Sequence, residues 1–376
     1  MVNVGKLVES LLREGVDFFT GVPDSLLKSF CAYVTDNCAD NHVIAANEGG
    51  AVGLAAGHYL ATGKPALVYM QNSGQGNAVN PLASLADPDV YSIPMVLLVG
   101  WRGEPGVKDE PQHVKQGKIT VSLFETLGLP TEILPDDESA ALDLVRNMVK
   151  MSKSESRPVA LVVRKGIFAE CKLQNREDDI SDLKREAAIE AILRALPDGA
   201  VVVSTTGMIS REVYETRERQ GQGHGRDFLT VGSMGHAIMI ALGIAKAQPE
   251  RKIICLDGDG ASIMHLGNMA IAGQSGCANL THIVLNNSAH DSVGGQPTVG
   301  GRIDLPAIAA ACGYDVYSVA GLENPLPLCV SALKTITDRP SFVEIKVAKG
   351  ARKDLGRPKE PPQVNKALFM ETLGSL

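Results

Sequence analysis

Short apolar runs recur along the whole chain, and stretches with apolar residues at helical spacing separate them. Continuous apolar runs of this length are typical of strands buried in a parallel sheet, and the stretches between them are long enough for crossover helices. The pattern predicts strands at 16–19, 43–46, 66–70, 95–99, 131–134, 159–163, 201–204, 228–231, 253–256, 283–285, 315–318 and 342–347. It predicts helices at 25–35, 49–61, 77–86, 115–127, 138–151, 185–196, 209–219, 237–247, 261–272, 305–312 and 325–337, and a last short helix after a surface excursion at 350–364.

The alternation of strand and helix occurs twice, once on each side of a polar segment. Residues 171–182 are rich in charge and poor in bulky apolar side chains, which is typical of a linker. We therefore expect an α/β protein with two doubly wound parallel-sheet domains, at 1–170 and 184–376, joined by a linker at 171–183. In a chain of 376 residues each half is long enough to bury its own core.

Composition excludes several classes of function. The formal net charge is −7 and no basic block occurs, so nucleic acid is not an expected partner. No apolar run approaches the ~20 residues of a membrane span, and the first residues lack a signal-peptide core, so a cytoplasmic protein is expected. The seven cysteines form no Cys-x-x-Cys pair, which favours reduced structural thiols.

Two predicted strands of the second half end in polar residues. The strand 253–256 runs into Asp257–Gly260, and the strand 283–285 runs into Asn286–Ser288. Parallel strands joined by a helix place such ends at the same edge of the sheet, where these folds bind ligands. There the Asp259 carboxylate, the Asn287 amide oxygen and the Ala289 backbone carbonyl can converge on one hard cation. Ligation by oxygen alone suits Mg²⁺.

The residues after the first of these strands open a predicted helix. Free backbone N–H groups of Gly260, Ala261 and Ser262 then offer an anion site beside the metal. A lone Gly-Asp-Gly is more often an ordinary turn. The prediction of a metal and anion site therefore depends on the spacing between this motif and the paired asparagines.

That spacing resembles the diphosphate-binding motif of thiamine diphosphate (ThDP) enzymes. The resemblance implies that Asp259 and Asn287 are Mg²⁺ ligands and that Asp257 has a supporting role at most. In the first half, Asn47-Glu48-Gly49 before an Ala/Gly-rich helix resembles the pyrimidine-binding domain of the same enzymes. This implies that Glu48 is the acid that activates the cofactor, whereas the residue taken alone is better explained as a helix-start carboxylate.

The resemblance covers nearly the whole chain and is to the short ThDP decarboxylases, which have the two domains of the ThDP-binding fold and no middle domain. Within that family it is closest to the phosphonopyruvate decarboxylases, with the sulfopyruvate decarboxylases next. The segments that carry it are 21–28, 72–77, 103–113 and 286–296. It implies a lyase that uses ThDP and Mg²⁺ to convert 3-phosphonopyruvate to phosphonoacetaldehyde and CO₂ without oxidation, in phosphonate biosynthesis. It also implies a homodimer or larger oligomer with sites shared between subunits.

Further candidate residues follow from the same resemblance. Those expected to contact the cofactor also include Gly74, Gln75, Gly207, Met208, Gly232, Met234 and Gly258. His113 and His290 lie in predicted loops, and imidazoles titrate near neutral pH, so both are candidates for proton transfer. An anionic substrate tail needs cationic or N–H donors, and two segments offer them. These are the predicted helix start with Asp24, Ser25 and Lys28, and the predicted loop 102–118 with Arg102, Lys108, His113 and Lys115.

Other readings stay open at this point. Residue types do not separate a phosphonate from a sulfonate tail, so a sulfopyruvate decarboxylase, or another short ThDP decarboxylase or carboligase, is the alternative. A regulatory copy is disfavoured because Glu48, Asp259 and Asn287 are all present, and half of a split enzyme is disfavoured because both domains are in one chain. A nicotinamide-dependent oxidoreductase would need a Gly-x-Gly-x-x-Gly turn with a later acidic partner, which the sequence lacks.

Overall fold

The computed structural model describes residues 1–319, 326–334 and 338–375. Within these, the chain forms two compact units, Met1–Arg176 with Ser292–Gln296, and Glu177–Asp291 with Pro297–Leu376. Each unit is built on one six-stranded sheet in which every strand pair is parallel. The predicted fold class is therefore confirmed.

The first unit has the strand order β2-β1-β3-β4-β6-β5. Its strands are β1 Phe19–Gly21, β2 His42–Ile44, β3 Ala66–Gln71, β4 Met95–Gly100, β5 Thr131–Ile133 and β6 Pro158–Val163. Its helices are α1 Val4–Arg13, α2 Lys28–Asn37, α3 Glu48–Thr62, α4 Gln75–Pro81, α5 Pro111–Thr126 and α6 Glu138–Glu155, and a wider helical turn at Leu82–Ala86 continues α4.

Alternate residues of the central strands fill two apolar layers. On β3, Leu67 and Tyr69 belong to the cluster that contains α1, α2 and α6, whereas Val68 and Met70 belong to the cluster with α3 and α4. Side chains of a strand point alternately to its two faces, so both faces of this sheet are covered by helices. This explains why the strand appears in the sequence as a continuous apolar run.

The second unit has the strand order β11-β12-β10-β9-β7-β8. Its strands are β7 Val201–Ser204, β8 Asp227–Leu229, β9 Ile253–Gly258, β10 Leu280–Asn286, β11 Asp315–Val319 and β12 Ser341–Lys346. Its helices are α7 Arg185–Ala195, α8 Met208–Arg219, α9 Ala237–Ala247, α10 Asp259–Met264, α11 Gly267–Gly273, α12 Leu305–Cys312, α13 Leu326–Lys334 and α14 Pro362–Leu373. Read from the β8 edge, this order repeats that of the first unit, strand for strand.

Every predicted strand overlaps an observed one, but some strand boundaries were wrong: the strand predicted at 16–19 is observed at Phe19–Gly21, and that predicted at 228–231 at Asp227–Leu229. Several helix boundaries were also wrong. The helix predicted from residue 25 begins at Lys28, because the carbonyl and carboxylate of Asp24 accept hydrogen bonds from the N–H groups of Leu27 and Leu26 and hold a turn there. The helix predicted from residue 115 begins at Pro111, a residue favoured in the first turn of a helix.

The helix predicted at 261–272 is two helices, α10 and α11. His265 leaves the helical region between them, with φ −131° and ψ 56°. The helix predicted at 325–337 is observed as α13, and its predicted ends at 325 and 335–337 lie outside the described residues.

Across the described part of the chain, no helix combines the length and apolar character that crossing a bilayer requires.

Candidate active site

Glu48 is the first residue of α3 and is buried, with 4% of its surface exposed. The Asn47 side chain caps the helix by accepting a hydrogen bond from Gly50 N at 2.9 Å. The Glu48 carboxylate accepts a hydrogen bond from Asn77 Nδ2 at 2.7 Å. Burial raises the pKa of Glu48 above its ordinary value. The sheet edge thus carries a buried carboxyl group whose pKa is raised, which is unusual for a carboxyl at a helix start.

The segment after β3 lies directly against this acid. A side chain at Gly74 would begin 2.2 Å from Glu48 Oε1, so only glycine leaves room for the carboxylate. The neighbouring Gln75 is buried and donates through Nε2 to the carbonyl of Thr120 at 2.9 Å. Gly74 therefore contacts Glu48, and Gln75 follows Gly74 in the chain.

The segment after β4 holds an ion pair. Arg102 donates to both carboxylate oxygens of Asp109, at 2.8 and 2.5 Å, and to Ser25 Oγ at 2.9 Å. The Arg102 guanidinium lowers the pKa of Asp109 against the opposing effect of burial. The predicted tail-binding arginine is thus already balanced by a carboxylate that sequence reasoning had not singled out.

Asp24 is fully buried beside this pair. Its Oδ2 accepts from Leu26 N at 2.9 Å, and its Oδ1 has no hydrogen-bond partner among the residues that the structure describes. Burial raises the pKa of Asp24 to about 6.

The predicted loop 102–118 is a loop only as far as Glu110. His113 is a buried residue of α5 and not a loop residue, and Lys115 is an exposed residue of the same helix. Lys28 and Lys108 are also exposed. The correction follows from Pro111, which fixes the backbone for a helix start four residues earlier than predicted.

In the second unit the ends of β9 and β10 meet as predicted. Leu285 pairs with Gly258 in the parallel register, which brings Asp259 and Asn287 to one edge. Asp259 is buried, and burial raises its pKa to about 6. Hydrogen bonds from Thr298 and from the backbone N–H of Asn287 act in the opposite direction.

Thr298 and Gly300 were missed by sequence reasoning. The Thr298 hydroxyl donates to Asp259 Oδ2, and a side chain at Gly300 would begin 2.6 Å from the same oxygen. The sequence gives no sign that the loop after the Asn-Asn motif folds back onto Asp259. The only signal that could have pointed to Thr298 and Gly300 is their position after that motif.

Asn287 has its two amide ends in different contacts. Nδ2 donates to Asp291 Oδ2 at 2.6 Å, and Oδ1 accepts from Ala289 N at 3.1 Å. His290 lies against the Gly-Asp-Gly segment, since a side chain at Gly260 would begin 3.0 Å from its Cε1. Burial lowers the pKa of His290 to about 4, so its imidazole is neutral at physiological pH.

The remaining candidates of this unit lie on two glycine turns. Gly207 precedes α8 with φ 97° and ψ −136°, a conformation that favours glycine, and Met208 is the first helical residue. Gly232 and Met234 are partly buried, and the loop that contains them is held to α11 by Asn268, which donates to the carbonyl of Gly235 at 3.0 Å.

Asp257 is directed into the core of the unit. It accepts hydrogen bonds from Gly258 N at 3.0 Å and from Ser262 Oγ at 3.2 Å, and lies 3.4 Å from His282 Nε2. The supporting role expected for Asp257 stays a prediction.

These donors fit ThDP and magnesium by their chemistry. Asp259 is a buried carboxyl group for which a cation would be the natural counter-charge, and the Asn287 amide lies at the end of the neighbouring strand. Glu48 is a buried acid with a side-chain-free space beside it at Gly74.

Comparison with known proteins identifies both halves of the chain. Residues 2–123 match the thiamine pyrophosphate enzyme, N-terminal TPP binding domain, and residues 205–345 match the corresponding C-terminal TPP binding domain.

Three relatives are similar over different lengths. A phosphonopyruvate decarboxylase of Streptomyces hygroscopicus is 35% identical, with 99% of this chain and 94% of that protein covered. A sulfopyruvate decarboxylase of Methanosarcina acetivorans is 29% identical, with 98% and 97% covered. A sulfopyruvate decarboxylase subunit beta of Methanocaldococcus jannaschii is 36% identical over 38% of this chain and 72% of its own length.

Proposed function

This chain is a thiamine pyrophosphate enzyme of the family that includes the phosphonopyruvate decarboxylases, and we propose that it decarboxylates 3-phosphonopyruvate to phosphonoacetaldehyde in phosphonate biosynthesis. The observation that carries the proposal is the similarity to a phosphonopyruvate decarboxylase over 99% of the chain. Such an enzyme needs an acidic residue in each domain, and the buried side chains of Glu48 and Asp259 supply them.

When bound, ThDP supplies a ring that accepts the electron pair released as a 2-oxo acid loses CO₂. We assign the metal to Asp259, Asn287 and the Ala289 carbonyl, with Mg²⁺ as the ion. Glu48 is the acid that we propose activates the cofactor, and burial raises its pKa above its ordinary value. The other proposed cofactor contacts are Gly74, Gln75, Gly207, Met208, Gly232, Met234, Gly258, Gly260, Ala261 and Ser262.

Proton transfer to and from the substrate is assigned to His113 and His290. His290 enters the reaction as a neutral imidazole because burial lowers its pKa to about 4. A neutral imidazole accepts or relays a proton and adds no charge to a site that already holds a divalent cation.

We assign the anionic tail of the substrate to the first unit. Ser25 and Arg102 are linked at 2.9 Å, and the exposed Lys28, Lys108 and Lys115 add positive charge. Asp24 and His113 complete the proposed set. Because Asp109 neutralises Arg102, the lysines would supply the net charge that a phosphonate needs.

We further propose a homodimer or larger assembly with sites shared between subunits. Helix α3, which begins with Glu48, exposes 38% of Leu54 and 72% of Leu60. A side chain at Gly53 or Gly57 would meet no atom within 4 Å. Glycine inside a helix costs ~1 kcal/mol relative to alanine, so an exposed face with two glycines and two leucines favours close packing against another chain.

We also propose that the protein is located in the cytoplasm. The six cysteines whose side chains the structure describes are all free, as a reducing compartment would keep them.

The substrate test compares kcat/KM for 3-phosphonopyruvate, sulfopyruvate and pyruvate. We expect phosphonopyruvate to lead, and Lys115→Ala to lower its kcat/KM at least tenfold while leaving pyruvate nearly unchanged. Lys150→Ala, an exposed lysine of α6, is the matched control and should change neither. Equal turnover of pyruvate would contradict the anionic-tail assignment.

Sulfopyruvate is the second candidate, supported by the 29% identity to a sulfopyruvate decarboxylase over 98% of this chain. If sulfopyruvate leads in the same comparison, the reaction class stands and the substrate assignment changes.

A further inference from the structure

A buried ion-pair network lies behind Asn287 in the second unit. Arg185, the first residue of α7, is buried and donates to both carboxylate oxygens of Glu212, at 2.8 and 3.0 Å. Its Nη1 donates to Asp291 Oδ2 at 2.9 Å, and its Nη2 donates to the carbonyl of Gly350 at 3.2 Å. An arginine this deep in a protein is retained only when its donors are occupied.

One carboxylate oxygen of Asp291 accepts three hydrogen bonds. Asp291 Oδ2 accepts from Asn287 Nδ2 at 2.6 Å, from Arg185 Nη1 at 2.9 Å and from Gly350 N at 2.9 Å. Helix α7, the turn after β10 and the segment after β12 therefore converge on this oxygen.

The network decides which way the Asn287 amide points. The two ends of an amide are nearly equal in size, so packing alone does not distinguish oxygen from nitrogen. Asp291 Oδ2 already accepts hydrogen bonds from Arg185 Nη1 and Gly350 N, so it faces the NH₂ end of Asn287 and leaves Oδ1 at the opposite end. A metal ion requires that oxygen, because an amide NH₂ cannot ligate a hard cation.

We propose that Asp291 and Arg185 are positioning residues of the magnesium site, which hold the Asn287 amide with its oxygen toward the metal. This inference rests on the proposed assignment of Asn287 as a ligand. Arg185 holds the Asp291 carboxyl group in place through its hydrogen bond at 2.9 Å, and Glu212 holds Arg185 in place. Partners behind metal ligands commonly change metal affinity by about 10–100-fold when removed.

The test measures metal affinity directly, with Mn²⁺ as a paramagnetic substitute for Mg²⁺. Full-length protein with saturating ThDP is titrated, and free Mn²⁺ is read from its electron paramagnetic resonance signal. We expect Asp291→Ala to raise the Mn²⁺ dissociation constant at least tenfold. We expect Asp291→Asn, whose oxygen can accept the same hydrogen bonds, to stay within about threefold of the wild type.

Arg185→Lys gives a second measure in case Asp291→Ala does not fold. It keeps the buried charge but loses the planar fork that reaches Glu212 and Asp291 together, so we expect at least a threefold weaker Mn²⁺ affinity. Asp137→Ala is the matched control, an aspartate that caps α6 in the first unit through Ala140 N at 2.9 Å, and should leave the affinity unchanged.

The variant Asn287→Ala distinguishes the positioning role of Asp291 and Arg185 from the assignment of Asn287 as a metal ligand. If it loses Mn²⁺ while Asp291→Ala or Arg185→Lys binds as tightly as the wild type, the positioning role is wrong and the metal assignment stands. If Asn287→Ala itself binds Mn²⁺ normally, Asn287 is not a ligand and both proposals are overturned.

Discussion

At the scale of single residues, the space beside Glu48 is the most sensitive feature of the first unit. Gly74 has φ −74°, which any residue adopts, so a substitution there acts through contact alone. Gly74→Ala would place a methyl group 2.2 Å from Glu48 Oε1. We predict that the carboxylate is displaced and that kcat falls at least tenfold while the fold is kept.

Gly76→Ala is the matched control, because a side chain there would meet no atom within 4 Å. Its kcat should match the wild type, and its melting temperature should not fall, since alanine is the better helix former. Steady-state rates and thermal melts of the two variants check the prediction. Equal activity of Gly74→Ala and Gly76→Ala would show that Glu48 does not need its observed position.

Asp24 predicts a pH effect on stability. Its pKa is raised by burial to about 6, so between pH 4 and 6 the folded protein holds a proton that the unfolded chain has lost. The Asp24 contribution to the free energy of unfolding therefore falls as pH rises through this window, by about 3 kcal/mol in total. Asp24→Asn cannot titrate. The stability of this variant relative to the wild type should grow by that amount between pH 4 and 7.

Urea denaturation of the cofactor-free protein across this pH range measures the difference. Asp40→Asn, at an exposed aspartate of the same unit, should show no comparable growth. Parallel stability curves for Asp24→Asn and the wild type would mean that Asp24 is ionised at its ordinary pKa in the folded protein.

At the scale of elements, helix α8 is joined to the edge strand β8 by a buried ion pair. Arg217, with 1% of its surface exposed, donates through Nε and Nη2 to the two carboxylate oxygens of Asp227, both at 2.9 Å. Asp227→Ala would leave a buried guanidinium without its counter-charge. We predict a loss of about 3–5 kcal/mol in the free energy of unfolding.

Glu9→Gln provides the contrast, because Glu9 and Arg13 form an exposed pair at 3.5 Å on α1. Exposed pairs contribute little, so its denaturation curve should overlay the wild type. If Asp227→Ala behaves like Glu9→Gln, the pair does not hold α8 to the sheet.

The strands were predictable because both faces of each sheet are covered, which leaves a continuous apolar signature such as that of Ile253–Gly258. The starts of helices were harder to predict from the sequence. The start at Pro111 depends on a single proline at the end of a polar loop, and the start at Lys28 depends on a turn held by Asp24. The break at His265 has no sequence signal, since neither proline nor a turn dipeptide stands there.

The candidate site was likewise predictable only in part from the sequence. Strand ends identified Asp259 and Asn287, because parallel topology fixes where such ends meet. The contacts of Asp109, Thr298 and Asp291 were not foreseen. Each acts through a loop that folds back on a residue 4 to 39 positions earlier, and loops carry no periodicity from which such a return can be read.

At the scale of the whole molecule, the shared-site proposal predicts complementation. Glu48→Gln chains and Asp259→Ala chains should each be inactive, the first because glutamine holds no exchangeable acid and the second because the metal loses a carboxylate. Mixing them under conditions that exchange subunits should restore part of the activity, since a hybrid dimer with shared sites has one site with both residues intact.

The control is a mixture of Glu48→Gln chains with Glu48→Gln,Asp259→Ala double-mutant chains, which cannot form an intact site in any pairing. Activity is measured against the mixing ratio, and the oligomeric state by light scattering. A wild-type monomer with full activity would refute the shared-site arrangement.

The strand order common to the two units has an evolutionary consequence. A single ancestral unit that was duplicated and joined end to end would produce this repetition, with β3 and β4 corresponding to β9 and β10. After these equivalent strands, one copy now carries Asn72–Gly74 and Arg102, and the other carries Gly258–Gly260 and Asn286–Ser288. Such a duplication would have left the strand order unchanged while the residues at the ends of equivalent strands came to differ.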